Sequence, residues 1–358
     1  MGTSQTTVLS LEGVSKTYEG ANKPALDDVS FAVRSGEFFS ILGPSGSGKT
    51  TILRTVAGFE HPDRGAITMS GHAMNGVPAF KRDVRTVFQS YALFPHLTVR
   101  ENVEYPLRMR GDAKSGRSAA AMEALSLVEM SGFADRLPHQ LSGGQRQRAA
   151  LARSIVSRPK LLLLDEPLAA LDLRLRQQMQ HTLVALQKEL GIAFMYVTHD
   201  QGEALSMSDR VVVLNEGKIA QLATPREIYF APNNEFVSRF VGRSNLIPVT
   251  FEAAGNGAVA HVENVTLPGL VASRCGAARM AIRYEAVRLS ENVATPSPGT
   301  LHGTVEDVLF MGTSCEVNVR CGAINVIGLV PAAHNSSLEV GQPVQVNFDL
   351  QNTQVFYD

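Results

Sequence analysis

The sequence contains no tryptophan, and only three of its 358 residues are cysteines. Cys275, Cys315 and Cys321 all lie in the last third of the chain. Their small, odd number fits buried thiols in a reducing cytosol better than it fits a disulfide framework. No paired Cys and His spacing is present, so a structural metal site is not expected.

The sequence also lacks an excess of charge of one sign. Lys and Arg number 33 and Asp and Glu number 34, which gives a formal net charge of −1. Proteins that bind nucleic acid usually present a basic surface, so we expect no nucleic-acid partner.

Long hydrophobic runs are absent as well. The most apolar segment, residues 161–164, has the length of a strand rather than of a membrane span. Residues 1–7 are polar and contain neither the basic nor the apolar part of a signal peptide. We therefore expect a cytoplasmic protein that reaches a membrane only through a partner.

The length and composition predict a two-domain globular protein, with 44% hydrophobic and 19% charged residues. Short apolar strands alternate with helical patterns over residues 1–240, which predicts an α/β domain with a helical insertion at about 90–157. Residues 241–358 show short strand patterns without a long helical period, which predicts an all-β, barrel-like domain.

The clearest motif lies between an apolar strand pattern, residues 38–42, and a helical pattern that begins near residue 50. It fits G-x-x-x-x-G-K-[ST], a loop whose amides surround phosphates while its lysine neutralises them. A glycine-rich turn without a ligand fits this context poorly. The predicted phosphate loop consists of Gly43, Pro44, Ser45, Gly46, Ser47, Gly48, Lys49, Thr50 and Thr51.

A second glycine-containing turn begins at Ser142 and continues through Gly143, Gly144 and Gln145. Ser142 is placed to cap a helix over 149–157, and the glycines allow a close approach to the backbone. The turn therefore predicts a second anion site, and an ordinary helix cap is the alternative.

Polar side chains follow three apolar strand patterns. Asp165 and Glu166 follow the run of leucines at 161–164, and His199 follows a buried pattern that should be its neighbour in the sheet. Gln89 ends a third pattern, residues 84–89. Because ligands bind at the carboxyl ends of parallel strands, these residues are candidates to meet Mg²⁺ and an attacking water. For Gln89 and His199, a strand terminus and a surface histidine are the alternatives.

Two further expectations concern local structure. Residues 9–18 are predicted as an edge strand that ends at Tyr18, an aromatic side chain that could stack on a base or simply form part of a sheet face. Thr98 and Glu101 predict a capping box, and the polar residues 114–117 predict a break before a helix over 119–130.

In this order, the motifs resemble those of the ATP-binding cassette (ABC) family, the nucleotide-hydrolysing subunits of ABC transporters. A phosphate loop alone would also fit kinases or GTPases, whereas Leu-Ser-Gly-Gly-Gln about twenty residues before the acidic strand is nearly unique to this family. The resemblance covers about residues 9–240 and includes Walker A at 43–50, the Q-loop at Gln89, the signature at 141–145, Walker B at 161–166, the D-loop at 170–172 and the switch His199.

The resemblance implies roles for these residues in binding ATP and Mg²⁺. Tyr18 is expected to stack on adenine, while Thr50 and Asp165, with Gln89, are expected at the metal ion. Phosphate binding is expected from the whole phosphate loop, with Gly46, Gly48, Lys49 and Thr51 holding the phosphates directly.

The resemblance also implies catalytic roles and a dimer. Glu166 is expected to polarise the attacking water, and His199 to hold the γ-phosphate and the water in line; Gln89 and Lys49 complete the catalytic set. Ser142 and Gly144 are expected to contact ATP bound to a second copy, so that two cassettes enclose each nucleotide. A homodimer is the simpler assembly, and a pair with a different cassette is the alternative.

The segment 90–99 resembles the importer cassettes, which grip a helix of a membrane permease, and the last domain resembles their transport-associated OB-like (TOBE) domain. The expected complex has two permease subunits and an external solute-binding protein, with this chain on the cytoplasmic face of the inner membrane.

The similarity is greatest to spermidine/putrescine ATPases, and ferric iron, aminoethylphosphonate and sugar are the alternative cargoes. A soluble ABC ATPase that acts on nucleic acid is a remote alternative, and a regulatory role of the last domain stays open. One departure from the family is Tyr284, where proline is usual.

Overall fold

The structure is a computed structural model that describes residues 6–254, 257–272, 274–291, 299–332 and 338–357. Most of the polar N-terminal segment 1–7 lies outside the described residues. The chain divides into two compact units, residues 1–225 and 226–358. None of the described helices is long and apolar enough to cross a membrane.

The first unit combines a mostly parallel sheet with a smaller antiparallel sheet. Its described strands are β1 (Thr7–Lys16), β2 (Leu26–Arg34), β3 (Phe38–Leu42), β4 (Arg64–Met69), β5 (His72–Ala73), β6 (Val84–Val87), β7 (Leu161–Asp165), β8 (Ala193–Thr198), β9 (Arg210–Asn215) and β10 (Lys218–Ala223). The large sheet has the order β10-β9-β3-β8-β7-β6, and the smaller sheet has the order β2-β1-β4-β5.

The helices of this unit cover the large sheet and form the helical insertion. They are α1 (Lys49–Ala57), α2 (Val99–Arg110), α3 (Lys114–Leu127), α4 (Gly143–Ile155), α5 (Leu173–Leu190) and α6 (Gln201–Met207). Together with the parallel strands, they confirm the predicted α/β class.

The run of leucines in β7 is buried on both faces, as a strand in the middle of a parallel sheet requires. Leu162 and Leu164 belong to the hydrophobic core beneath the helical insertion. Leu161 and Leu163 belong to the core between the two sheets. The strand that carries the acidic pair is therefore fixed from both sides.

Three local predictions were wrong. β1 pairs with both β2 and β4, so it lies inside the small sheet rather than at its edge. It ends at Lys16 and leaves Tyr18 in the following loop. The break between α2 and α3 falls before Lys114, because Gly111 takes the left-handed conformation that ends α2. Helix α4 begins directly after Ser142, since that residue caps it.

The second unit begins with short helices and continues as an all-β structure, as predicted. The helices are α7 (Pro225–Phe230) and α8 (Glu235–Phe240). The strands are β11 (Ser244–Ala254), β12 (Gly257–Val262), β13 (Val265–Ala272), β14 (Gly276–Arg283), β15 (Val287–Ser290), β16 (Leu301–Phe310), β17 (Ser314–Cys321), β18 (Ile324–Pro331), β19 (Pro343–Phe348) and β20 (Gln354–Tyr357).

These strands form two antiparallel sheets, with the orders β13-β12-β11-β14-β20 and β15-β19-β16-β17-β18. The unit starts at residue 226, before the composition changes past residue 240, because its helices are tied to the strands. The buried guanidinium of Arg283 donates to the carbonyl oxygens of Tyr229, Ser238 and Val241. The backbone N–H of Tyr284 donates to the Arg243 carbonyl at 3.2 Å, a bond that proline could not make.

The expectation of buried thiols holds for two of the three cysteines. Cys315 and Cys321 are buried in β17, whereas Cys275 is exposed. Cys315 and Cys321 are six residues apart, so they lie on the same face of β17, which packs into the core of the second unit.

Candidate functional site

The strand register brings the predicted site residues to one edge of the large sheet. Leu42, the last residue of β3, pairs with Thr198 of β8, and Asp165 of β7 pairs with Val197. All three strands run parallel, so the phosphate loop, the acidic pair and His199 leave the sheet at neighbouring positions. Val87 pairs with Leu164, and the exposed Gln89 lies two residues beyond the end of β6.

The phosphate loop needs glycine at two places for steric reasons. A Cβ at Gly43 would lie 2.6 Å from the Leu214 carbonyl oxygen, and a Cβ at Gly48 would lie 2.4 Å from the Ala25 carbonyl oxygen. Gly48 also has φ 104, which side chains rarely adopt. These contacts hold the loop tightly against its neighbours and place the start of α1 at the sheet edge.

Two side chains of the loop indicate that it is built for an anion. The Lys49 ammonium is buried and donates to the carbonyl oxygens of Gly43 at 2.8 Å and Pro44 at 2.9 Å. Ser47 Oγ is buried and has no hydrogen-bond partner within the described part of the chain. An orphaned hydroxyl and a cation held only by carbonyls at a helix N-terminus fit a bound phosphate.

Thr50 and Thr51 begin α1 and differ in exposure. Thr50 is exposed at the sheet edge, whereas Thr51 is buried. The Thr51 hydroxyl lies 3.4 Å from the hydroxyl of Tyr18, whose side chain is 38% exposed. Tyr18 is therefore brought to the start of α1 although it lies in the loop after β1, and its ring is accessible to a ligand.

One member of the acidic pair, Glu166, contacts the histidine directly. His199 Nδ1 lies 3.1 Å from Glu166 Oε1, and the backbone N–H of Glu166 donates to the Val197 carbonyl at 3.0 Å. Glu166 has φ 43, in the left-handed region, which costs free energy for a residue with a side chain. Strained backbone of this kind is found where the surrounding structure holds a functional group in place.

Burial and neighbouring charges shift the pKa values of Lys49 and Asp165. Burial lowers the pKa of Lys49, while the charges of Glu166 and Asp165 raise it. Burial raises the pKa of Asp165, and the charge of Glu166 raises it further, while Lys49 and Arg54 lower it. The Asp165 carboxylate therefore needs a cation nearby, and the lysine needs an anion.

A buried carboxylate next to the histidine was missed by the sequence reasoning. Glu203 of α6 accepts hydrogen bonds from the Tyr196 hydroxyl at 2.7 Å and the Thr198 hydroxyl at 2.6 Å. The Thr198 hydroxyl in turn accepts from the backbone N–H of Asp200 at 2.9 Å. Residues on both sides of His199 are thus tied to Glu203, and only its position in a helix after the strand could have indicated this role.

The second predicted anion site is a capped helix start. The Ser142 hydroxyl accepts from the Gln145 N–H at 3.3 Å, and the Gln145 side chain accepts from the Ser142 N–H at 2.9 Å. A Cβ at Gly144 would lie 2.7 Å from Leu175 of α5, so glycine is also needed for helix packing. Among the described residues, no hydrogen bond joins this turn to the phosphate loop, and the two sites stay separate within one chain.

Comparisons with known proteins agree with this geometry. The family model described as ABC transporter matches residues 26–169, and the model described as TOBE domain matches residues 280–356. The spermidine/putrescine import ATP-binding protein PotA of Rubrobacter xylanophilus is 45% identical over 96% of this chain and 92% of its own length. The protein of the same name from Pseudomonas fluorescens is 43% identical over 97% of this chain and 98% of its own length.

Solved structures of cassettes match part of the chain. A dimeric ATP-binding cassette, MJ0796, in a post-hydrolysis state bound to ADP and Pi, is 33% identical and aligns with a TM-score of 0.55 over 61% of this chain and 99% of its own. The cbiO1 protein from Clostridium perfringens, part of the ABC transporter complex cbiONQ, is 29% identical with a TM-score of 0.59, over 63% of this chain and 91% of its own. The chain therefore belongs to the family of ATP-binding, ATP-hydrolysing subunits of ABC transporters, with a TOBE domain at its C-terminal end.

Proposed function

We propose that this subunit energises the import of polyamines through a membrane permease by binding and hydrolysing ATP with Mg²⁺. The proposal of ATP hydrolysis rests on one observation: the phosphate loop, the acidic pair and His199 lie at the same edge of the large sheet. The polyamine part is supported by the relatives of similar length that are named for spermidine/putrescine import.

The residues at the sheet edge fit an ATP–Mg²⁺ complex. The phosphate loop 43–51 would hold the phosphates, with the Lys49 ammonium leaving its carbonyl partners to neutralise them. Tyr18 would stack on the adenine. The Thr50 hydroxyl, the Asp165 carboxylate and Gln89 would supply oxygens to Mg²⁺, which is usually bound by a few protein oxygens together with phosphates. When bound, the ion neutralises charge that develops on the transferred phosphoryl group.

The acidic pair and the histidine would carry the chemistry. Glu166 orients the attacking water and accepts its hydrogen bond, because its carboxylate is held at the strand end by the left-handed backbone. His199 lies within hydrogen-bond distance of Glu166 and would hold the water and the γ-phosphate in line. The chain thus supplies position and electrostatic stabilisation, the main contributions to phosphoryl transfer to water.

We propose a homodimer in which each ATP lies between two copies. The capped turn at Ser142 offers bare backbone at a helix N-terminus, and no hydrogen bond among the described residues ties it to its own phosphate loop. Ser142, Gly143, Gly144 and Gln145 would therefore contact the γ-phosphate bound to the partner copy. The dimeric cassette MJ0796 bound to ADP and Pi supports the proposal of a dimer.

We also propose where the permease contacts this subunit. Phe59 and Phe88 are exposed and lie side by side, with ring centroids 6.0 Å apart, next to Gln89. Exposed aromatic pairs are unusual on a monomer and typical of protein interfaces.

Two permease subunits would place the dimer peripherally on the cytoplasmic face of the inner membrane, with an external solute-binding protein on the other side. In this scheme residues 1–240 form the cassette and 241–358 the accessory domain.

Uptake of radiolabelled spermidine tests the proposal. Cells that lack the gene are complemented with the wild-type chain, with Lys49→Ala, or with Phe59→Ser/Phe88→Ser. We expect the wild-type chain to restore uptake and Lys49→Ala to abolish it. The double phenylalanine variant should keep its ATPase activity in purified form but lose uptake.

Competition identifies the cargo in the same assay. Unlabelled putrescine should compete with spermidine. The contrary outcome is that the cells instead take up ferric iron, aminoethylphosphonate or a sugar in a way that Lys49→Ala abolishes. In that case the polyamine assignment is wrong, but the role as a transport ATPase is retained. ATP turnover stimulated by nucleic acid in the absence of a permease would overturn the transport function itself.

A further inference from the structure

The segment after Gln89 contains two consecutive residues with an unfavourable backbone. Tyr91 has φ 61 and Ala92 has φ 47, both in the left-handed region. Neither is a glycine or an asparagine, the residues that adopt this region readily, and two such residues in succession are rarer still. Some other contact must therefore hold this turn, residues 89–92, in place.

Arg153 of α4 supplies that contact. Its Nη1 donates to the Ala92 carbonyl at 2.7 Å, and its Nη2 donates to the Tyr91 carbonyl at 2.9 Å. The guanidinium carbon also lies 5.6 Å from the centroid of the Phe94 ring. A planar guanidinium matches two adjacent acceptors, a geometry that the single ammonium of lysine cannot reproduce.

The far end of the segment is anchored independently. Asn102 of α2 is fully buried, accepts from the backbone N–H of Phe94 at 2.8 Å and donates to the Phe94 carbonyl at 3.1 Å. The stretch between the end of β6 and Phe94 is therefore short, and Asn102 does not hold it. Gln89 lies in this stretch, which makes its position sensitive to Arg153.

The side chain of Tyr91 adds a second free-energy cost to this turn. It is 8% exposed and packs with the core of the helical insertion, yet its hydroxyl is buried and without a hydrogen-bond partner in the described residues. A buried, unpaired hydroxyl is unfavourable and, like the left-handed backbone, has to be offset elsewhere. The bidentate contact with Arg153 is the polar interaction at this turn that can do so.

We infer that Arg153 is a positioning residue: it fixes the turn 89–92 and thereby joins Gln89 to the helix that begins after Ser142. A shift of α4 would move the second anion site at its start and, through Arg153, the carbonyls of Tyr91 and Ala92. The second anion site and Gln89 would therefore move together. The inference rests on the proposed function only for what Gln89 does at Mg²⁺.

Hydrogen exchange on the full-length protein tests the link without reference to activity. The variant Arg153→Lys keeps the charge and most of the packing, so we expect it to fold. The Tyr91 N–H, which donates to the Phe88 carbonyl at 2.8 Å, should exchange about tenfold faster, as expected for the loss of a charge-assisted bond. The Phe94 N–H, held by Asn102, should change much less.

The matched control is Arg158→Lys. Arg158 lies five residues further along, and its guanidinium pairs with Glu123 at 2.9 Å where both side chains are largely exposed. This variant should leave the exchange at Tyr91 unchanged. Equal exchange at Tyr91 in the wild-type, Arg153→Lys and Arg158→Lys proteins would overturn the inference.

A rescue variant distinguishes the loss of support for the turn 89–92 from other effects of replacing Arg153. Ala92→Gly removes the steric cost of the left-handed conformation, so the turn needs less support. In the double variant Arg153→Lys/Ala92→Gly, exchange at Tyr91 should return toward the wild-type rate. Faster exchange that persists in the double variant would show that Arg153 acts in some other way.

The Mg²⁺ dependence of ATP turnover tests the functional consequence. Arg153→Lys should raise the Mg²⁺ concentration for half-maximal turnover several-fold, with a smaller change in turnover at saturation, and Ala92→Gly should reverse this. An unchanged Mg²⁺ dependence with wild-type turnover would refute the positioning role. Absence of turnover in the wild-type protein would instead refute the proposed function.

Discussion

The imidazole of His199 and the carboxylate of Glu166 are in direct contact, with 3.1 Å between Nδ1 and Oε1, although the two residues follow different strands, β8 and β7. We expect Glu166→Gln to lower ATP turnover by about 100-fold or more, because the amide no longer serves as a base. ATP binding should remain, so that size-exclusion chromatography shows an ATP-dependent dimer. Glu123→Gln, on an exposed helix face, is the control and should behave as wild type. Wild-type turnover in Glu166→Gln would contradict the assigned role.

Glu203 should matter for stability as well as for catalysis. Glu203→Ala leaves the buried hydroxyls of Tyr196 and Thr198 without their acceptor, which we expect to lower the free energy of unfolding by about 2–5 kcal/mol. Glu203→Gln keeps one oxygen acceptor and should lose less. Urea unfolding followed by circular dichroism is the suitable measurement, since the chain has no tryptophan for fluorescence. Equal stability of the alanine and glutamine variants would argue against the hydrogen-bond account.

Arg82 should be among the most sensitive positions away from the site. Its guanidinium is 2% exposed and donates to the carbonyl oxygens of Val77, Thr55, Val56 and Met74, which includes the end of α1. Arg82→Met leaves these carbonyls without their donors, and we expect a loss of about 3 kcal/mol or more in the free energy of unfolding. The exposed Arg64→Met should change it by less than about 0.5 kcal/mol.

Gly58 provides a second test of the same contact. A Cβ there would lie 2.6 Å from Arg82 Nε, and Gly58 has φ 85. Gly58→Ala should therefore also destabilise the protein, by about 1–3 kcal/mol. If Gly58→Ala costs less free energy of unfolding in the Arg82→Met background than in the wild type, the clash with the guanidinium accounts for the difference, and the remaining loss reflects the positive φ.

The cysteines predict a pH dependence of the second unit. Burial, together with the charge of Glu263, raises the pKa of Cys321 from 9.0 to about 11. The folded state therefore holds this proton at pH values where the unfolded chain releases it. Stability is complete below pH 9 and falls as the pH rises from 9 toward 11, by up to about 1.4 kcal/mol per pH unit.

Urea unfolding at pH 8, 9 and 10 should show this loss, and Cys321→Ala should reduce its slope. Tyr229, whose pKa burial and Glu285 raise to about 12, contributes only at higher pH. Thiol labelling at pH 8 should modify the exposed Cys275 and spare the two buried cysteines. Rapid labelling of all three in the folded protein would contradict the described burial.

Features governed by local backbone chemistry could be read from the sequence. The capping box at Thr98, the helix cap at Ser142 and the buried run of leucines in β7 all follow from residue types at short spacing. The order of acids and histidine at strand ends located the site because parallel strands end at one edge.

Features that depend on contacts across the fold could not be read in this way. The inner position of β1 depends on pairing with β4, more than fifty residues away. Arg153 looks like an ordinary helix residue until its acceptors, 61 and 62 residues earlier in the chain, are known. Glu203 looks like one until folding places its carboxylate against the hydroxyls of Tyr196 and Thr198. The left-handed backbone of Glu166 is imposed by its surroundings against the preference of the residue, and local propensity cannot indicate such a conformation.

Gly144 meets two demands at once, because the missing Cβ leaves the backbone bare for the proposed anion and also avoids a contact of 2.7 Å with the Leu175 side chain. A side chain at this position would crowd Leu175 of α5, so loss of activity in Gly144→Ala would not by itself reveal a contact with nucleotide. Trimming Leu175 to alanine in the same protein restores the room without restoring the bare backbone. Paired in this way, the two substitutions separate an effect of Gly144 on helix packing from its proposed contact with ATP on a second copy.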